Sequence, residues 1–268
     1  MPKPRVCAVS FLNTVPLAYG MAHGPQQSLV DLTFAVPSVC AQRVESGAAD
    51  VGLVPVIEMD RQGLTPVPGI GIASRGAVRS ILLVSRVPFG RVRSLAADMN
   101  SRTSVMLARI LLSRCFGVEP EVTPMPPDLD SMLARADAAL LIGDAALAVD
   151  PEALGLPCLD LGEKWFDLTG LPFVFAMWAG PQPGITPELA KILRDSCLCG
   201  LAALDGIIEE EARRRSMPPA MVDHYLKHNI VFQHGPEERA GLELYLRYAR
   251  EMNELVLAEN PGHGGLQS

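Results

Sequence analysis

The chain has no stretch that could cross a membrane: no window approaches the roughly 18 uninterrupted apolar residues that a spanning helix requires. The apolar run after Met1-Pro2-Lys3-Pro4-Arg5 is short and is broken by Asn13, Thr14 and Pro16. It has neither the core nor the cleavage site of a secretory signal, which predicts a cytoplasmic protein. Positive charge is in deficit, with 23 Lys and Arg against 30 Asp and Glu and a net charge of −7. Bulk attraction to nucleic acid or to an anionic membrane is excluded on that ground, and an anionic ligand would need local donors. The six cysteines (7, 40, 115, 158, 197 and 199) form no Cys-x-x-Cys pair, so they read as reduced and mostly buried thiols. Neither Gly-x-Gly-x-x-Gly nor a P-loop occurs, which argues against a nucleotide cofactor. Histidine is absent between His23 and His224. His224 and His228 stand at i, i+4 but have no third ligand nearby, so they read as a helix surface and no metal is expected.

What the chain does have is aliphatic core material. Of 268 residues 49% are hydrophobic, although only 5% are aromatic. Runs such as Ser80-Ile81-Leu82-Leu83-Val84-Ser85 suit strands buried on both faces. Arg5–Ser10, Thr33–Val36, Asp50–Val54, Val67–Ala73 and Ser80–Ser85 read as strands separated by helical segments, which predicts a parallel sheet. One such helix is predicted to start with Ser38 as N-cap and to close at Gly47. Beyond Pro88 and Gly90 a second unit follows, with strands at Ser94–Ala97, near Glu121–Thr123 and at Ala138–Ile142, and helices at Thr103–Phe116 and Asp128–Ala134. The apolar run Leu171–Trp178 is long enough to return to the first sheet. Pro187–Arg215 reads as helical, its charge run from Glu209 to Arg215 as a solvated face. A last amphipathic helix covers about 236–258, and Pro261–Gly265 reads as loose. The predicted class is α/β, with a discontinuous first domain (1–86 plus 173–268) and an inserted second domain (87–172). A ligand cleft would lie between them.

Four polar strings close or follow the predicted strands: Ser10–Thr14, Ala73–Gly76, Asn100–Ser104 and Ile142–Ala146. Open α/β sheets bind ligands at such places. Ser10 and Asn13 are turn formers as well as ligand donors. Ser74 and Arg75 precede the crossover, and the Arg75 guanidinium would suit a carboxylate. Ser101 is a natural N-cap, yet with Thr103 and Ser104 the helix start carries more hydroxyls than a cap needs and could cradle a carboxylate. Ile142 and Gly143 end a strand, and Asp144 either caps the next helix or faces the cleft as a base. Trp165 reads as packing. The strings contain no His, no Cys and a single carboxylate, so a small acidic ligand is expected and the ligand must supply much of any chemistry.

Taken in order, Val9–Leu17, Asp50–Pro55, Ser101–Ser104, Leu141–Leu147 and Trp165–Ala176 resemble the chorismate dehydratase family of the futalosine route to menaquinone. The resemblance implies a two-domain periplasmic-binding-protein-like (type II) fold with a two-stranded hinge, used as an intracellular enzyme without metal or redox cofactor. It implies dehydration of chorismate, a small dicarboxylate, to 3-[(1-carboxyvinyl)oxy]benzoate. It puts Asn13 at the substrate, and Ser10, Ser101, Thr103, Ser104 and Asp144 in cleft-lining strings. The base would be Asp144 or the substrate's own enolpyruvyl carboxylate. A sister family on this fold, 1,4-dihydroxy-6-naphthoate synthase, looks to rely on a second-domain His that this chain lacks. A non-catalytic carboxylate-binding protein of the same fold is the other alternative, and a homodimer is left open.

Overall fold

The computed structural model describes residues 2–98 and 100–259, with side-chain surroundings through Met252. The predicted loose segment Pro261–Gly265 lies outside the described residues. The first sheet begins with β1 (Arg5–Val9), α1 (Val15–His23), β2 (Asp31–Ala35), α2 (Pro37–Glu45), β3 (Val51–Pro55), α3 (Val56–Gln62) and β4 (Thr65–Ser74). The second follows with β5 (Ile81–Ser85), β6 (Ser94–Asp98), α4 (Arg102–Phe116), β7 (Glu121–Met125), α5 (Leu129–Arg135), β8 (Ala138–Ile142), α6 (Gly143–Leu147), β9 (Cys158–Asp160) and α7 (Leu161–Thr169). The chain then returns through β10 (Phe173–Gly180), α8 (Pro187–Ala202), α9 (Leu204–Arg215), α10 (Pro219–His224), β11 (Val231–Gln233) and α11 (Pro236–Glu259).

The sheets have strand orders β11-β4-β10-β3-β1-β2 and β7-β6-β8-β5-β9. Both are mixed, where the sequence predicted parallel. In the first, β2 and β3 flank β1 in parallel, but β10 runs antiparallel to β3 and β4. In the second, β6 is parallel to β7 and β8, while β5 is antiparallel to β8 and β9. Strand β5 is entered directly from β4 of the other sheet, without a helical crossover to set a parallel direction, whereas β10 returns to the first sheet from α7. Pairing of β5 in the second sheet moves the first crossing to residues 75–80, ahead of the boundary expected at residue 86. The apolar run of β5 is buried throughout and would suit either sheet, so composition could not assign it.

Three further local expectations are corrected. Helix α2 opens at Pro37 behind Val36, because proline is already suited to the first turn, and Ser38 is not its cap. The helical stretch 187–215 is broken at Ala203 into α8 and α9. Helix α8 lies against α1 through Gly200, where a Cβ would fall 2.0 Å from the Pro16 carbonyl oxygen. Finally, the charge run of α9 is only partly solvated: Glu211 is buried and Arg215 is 13% exposed.

One carboxylate of the second lobe grips the first crossing. Asp160, the N-cap of α7, accepts N–H bonds from Val78 at 3.0 Å, Arg79 at 2.5 Å, Gly162 at 2.9 Å and Glu163 at 3.1 Å. Burial pushes its pKa up, while these four donors oppose the shift. Arg79 has a left-handed φ of 64°, unusual for a residue with a side chain. Its guanidinium is fixed on the carbonyls of Ala146 and Val149. Trp165 is fully buried, edge-on to Phe173 at 5.2 Å and to Tyr245 at 6.2 Å, so it packs α7 against β10 and α11 as expected.

Candidate functional site

The C-terminal ends of β1, β3, β6 and β8 converge on a cleft between the sheets. Its polar lining is Asn13, Thr14, Ser80, Ser101, Ser104 and the backbone at Gly143. Phe11, Leu53, Ile72, Ile142 and Phe175 are among its apolar walls. No side chain on this lining carries a charge. An anion here would be held by dipoles, hydroxyls and N–H groups rather than by a cation.

The start of α4 is the principal donor element. Ser101 Oγ accepts the Ser104 N–H at 3.2 Å and lies 3.1 Å from Ser104 Oγ. Ser101 is therefore the N-cap, as predicted, and both serines also line the cleft. The N–H groups of the first turn have no acceptor within the helix, and the helix dipole adds partial positive charge there. This end of α4 is fixed from three directions. Asp98 accepts the Asn100 N–H at 3.0 Å and its side-chain amide at 2.7 Å, which sets the turn into Ser101. Thr103 Oγ1 accepts the Ile57 N–H at 3.2 Å, and the Thr103 carbonyl accepts the Tyr245 hydroxyl at 3.0 Å.

On the facing wall, a 3-10 turn at Leu12–Thr14 presents Asn13 and Thr14. The Thr14 hydroxyl is buried and has no hydrogen-bond partner among the described residues. Ser80 ends the crossing segment. Its hydroxyl receives the Tyr225 hydroxyl at 2.9 Å, and its carbonyl accepts the Gly143 N–H at 2.8 Å. Gly143 has a φ of +59°, and a Cβ there would fall 2.8 Å from the Phe11 ring. Only glycine lets the strand end turn so tightly beneath that ring.

Of the residues singled out from sequence, Asn13, Ser101, Ser104, Ile142 and Gly143 line the cleft together. The others do not. Thr103 is turned onto the start of α3. Ser10 is exposed and lines the groove on the other side of Phe11, where its carbonyl accepts from Arg215 at 3.3 Å. Ser74 is buried against Gly162 at the start of α7. Arg75 is 49% exposed and paired with Glu237 in the first turn of α11, which takes the cation away from the cleft.

Asp144 is the main correction. Its Oδ1 accepts the Leu12 N–H at 3.1 Å and its Oδ2 is paired with Arg215. Arg215 is held in turn by Glu211 at 2.7 Å. The carboxylate thus ties α6 to the Leu12–Thr14 turn and to α9, and it is not on the cleft lining. It does not cap its own helix, whose N-cap is Ile142.

Sequence reasoning missed Thr14, Ser80, Tyr225 and Arg215. Thr14 stands inside a string already singled out, and Ser80 is the first residue of a predicted strand. Arg215 was concealed in the charge run, where only its i, i+4 relation to Glu211 hinted at an inward face. Tyr225 lies beside the exposed His224, and no spacing in that segment marks it as facing inward.

A two-lobed α/β chain with its site at converging strand ends and no charged lining has the architecture of a periplasmic-binding-protein-like fold. Solved structures agree. An Archaeoglobus fulgidus protein superposes with a TM-score of 0.75 at 17% identity, covering 94% of this chain and 98% of that one. The periplasmic aliphatic sulphonate binding protein of Escherichia coli superposes at 0.64 and 16%, covering 96% and 94%. A Candida albicans gene product described as having the generic periplasmic binding protein fold gives 0.62 and 11%, covering 94% and 91%. The particular family follows from sequence. The profile of a family described as menaquinone biosynthesis matches residues 4–251. The chorismate dehydratase of Thermus thermophilus is 31% identical over 230 residues, 79% of this chain and 83% of that protein. The chain belongs to this menaquinone biosynthesis family. Among the described residues, no helix is long and apolar enough to cross a membrane.

Proposed function

We infer that this protein dehydrates chorismate to 3-[(1-carboxyvinyl)oxy]benzoate in menaquinone biosynthesis. Its similarity to a chorismate dehydratase over 79% of the chain supports the reading. The observation that carries it chemically is a cleft rich in hydrogen-bond donors and free of side-chain acids and bases. In chorismate the C3 hydrogen is vinylogous to the ring carboxylate. Its removal sends an electron pair toward that carboxylate, and expulsion of the C4 hydroxyl as water leaves an aromatic ring. Aromatisation drives the reaction, so the enzyme's task is orientation and charge stabilisation.

In this proposal the start of α4, with Ser101 and Ser104, holds one carboxylate, and Asn13, Thr14 and Ser80 face the reacting edge of the ring. Asp144 is occupied by Leu12 and Arg215, which leaves the enolpyruvyl carboxylate of the substrate as the base. The two lobes meet at crossings 75–80 and 170–172, and we assign the protein to the cytoplasm. Incubation with chorismate, followed by mass spectrometry, tests the reading. A product lighter by one water is expected. Tight binding of unchanged chorismate would overturn the enzyme in favour of a receptor.

A further inference from the structure

We propose that Tyr225, buried behind the cleft wall, is a positioning residue that fixes the hydroxyl of Ser80 as a hydrogen-bond donor to the departing C4 hydroxyl of the substrate. The inference rests on the dehydratase reading and adds a residue that does not itself line the cleft. Tyr225 is 1% exposed, and its hydroxyl donates to Ser80 Oγ at 2.9 Å. A serine hydroxyl has one proton and two lone pairs. With the phenol proton on one lone pair, the Ser80 proton must point elsewhere, and Ser80 opens onto the cleft. The phenol's own proton is directed to Ser80. The line of donors runs from Tyr225 to Ser80 and ends in the cleft. Burial pushes the Tyr225 pKa up, so the phenol keeps its proton at all working pH values.

The backbone explains how a residue so late in sequence reaches Ser80. Residues Tyr225–Asn229 form a π-helical turn, a feature that recurs at functional sites. Asn229, also buried, donates its side-chain amide to the Ala77 carbonyl at 2.9 Å. One turn therefore grips the crossing segment at two points, Ala77 and Ser80. His224 and Lys227 on the same segment remain exposed. In the reaction, the C4–O bond breaks with its electron pair going to oxygen. A proton donor aimed at that oxygen stabilises the developing charge, and the proton lost from C3 completes the water that leaves.

The experiment compares the parent protein with Tyr225→Phe, Ser80→Ala and the double variant, by kinetics on chorismate and by thermal melting. An inactive parent would sink the dehydratase reading itself, separately from the role of Tyr225. With an active parent, Tyr225→Phe is expected to lower kcat by about 10- to 100-fold, with KM within about threefold. The double variant should be no slower than Ser80→Ala alone, because Tyr225 acts through Ser80. Unchanged kcat in Tyr225→Phe, or losses that multiply in the double variant, would overturn the proposal. Should Tyr225→Phe not fold, 3-fluorotyrosine at position 225 keeps the shape and acidifies the phenol. A changed kcat then supports the relay and an unchanged kcat refutes it.

Discussion

Substituting Asp144→Asn separates two accounts of the only carboxylate in the polar strings. In the structure Asp144 accepts the Leu12 N–H and pairs with Arg215, the two side chains being 29% and 13% exposed. A bare charge pair at about 4 Å in an effective dielectric near 20 is worth roughly 4 kcal/mol. Much of that is offset by the cost of taking both ions from water. Asparagine keeps a carbonyl for Leu12, and Glu211 at 2.7 Å remains as counter-ion to Arg215. The net loss should therefore be about 1–2 kcal/mol, a factor of roughly 5–30 in whichever equilibrium holds the Leu12–Thr14 turn in place. A general base, in contrast, contributes about 10²–10⁴ to kcat. Initial rates on chorismate with a parallel urea titration distinguish the two. The expected variant has a lower urea midpoint, a raised KM and a kcat within about tenfold of the parent. A fall in kcat beyond about 100-fold, with midpoint and KM unchanged, would make Asp144 the base and refute the structural assignment.

Gly143→Ala should destabilise by about 2–3 kcal/mol and weaken substrate binding, because the φ of +59° is strained for alanine and the new methyl meets the Phe11 ring; calorimetry and KM check it. Asp160→Ala leaves the N–H groups of Val78, Arg79, Gly162 and Glu163 without their acceptor, and a loss of about 3 kcal/mol is expected by urea unfolding. Burial holds the His234 pKa down from 6.5 to about 4. Since the folded value is the lower one, its contribution is complete above pH 6.5 and is lost as pH falls toward 4. That amounts to about 3 kcal/mol at roughly 1.4 kcal/mol per unit, and His234→Phe should flatten the unfolding midpoint across this range.

Much of the scaffold could be read from residues because local chemistry and tertiary environment agree there. The apolar run at β8 is buried at every position, and Ser101 caps α4 through its own side chain. The same agreement put Asn13, Ser101, Ser104 and Gly143 on the lining of one cleft. Reading failed where a side chain's direction is decided by a distant partner. Arg75 follows Glu237, and Asp144 follows Arg215. Neither preference is written in the neighbouring residues. Strand β5 carries no mark of its sheet, because an apolar strand buried on both faces satisfies either. Tyr225 could not be found from spacing at all, because a π-helical turn shifts the face that a helical pattern would assign.

Every cleft-lining residue lies at or before Ala176, whereas three of the groups that fix them, Arg215, Tyr225 and Tyr245, come later. On the ribosome the recognition surface is therefore synthesised well before it is set. A nascent chain arrested after β10 would carry all the lining and none of these three supports, so catalytic competence should arrive only once α9 to α11 have been made.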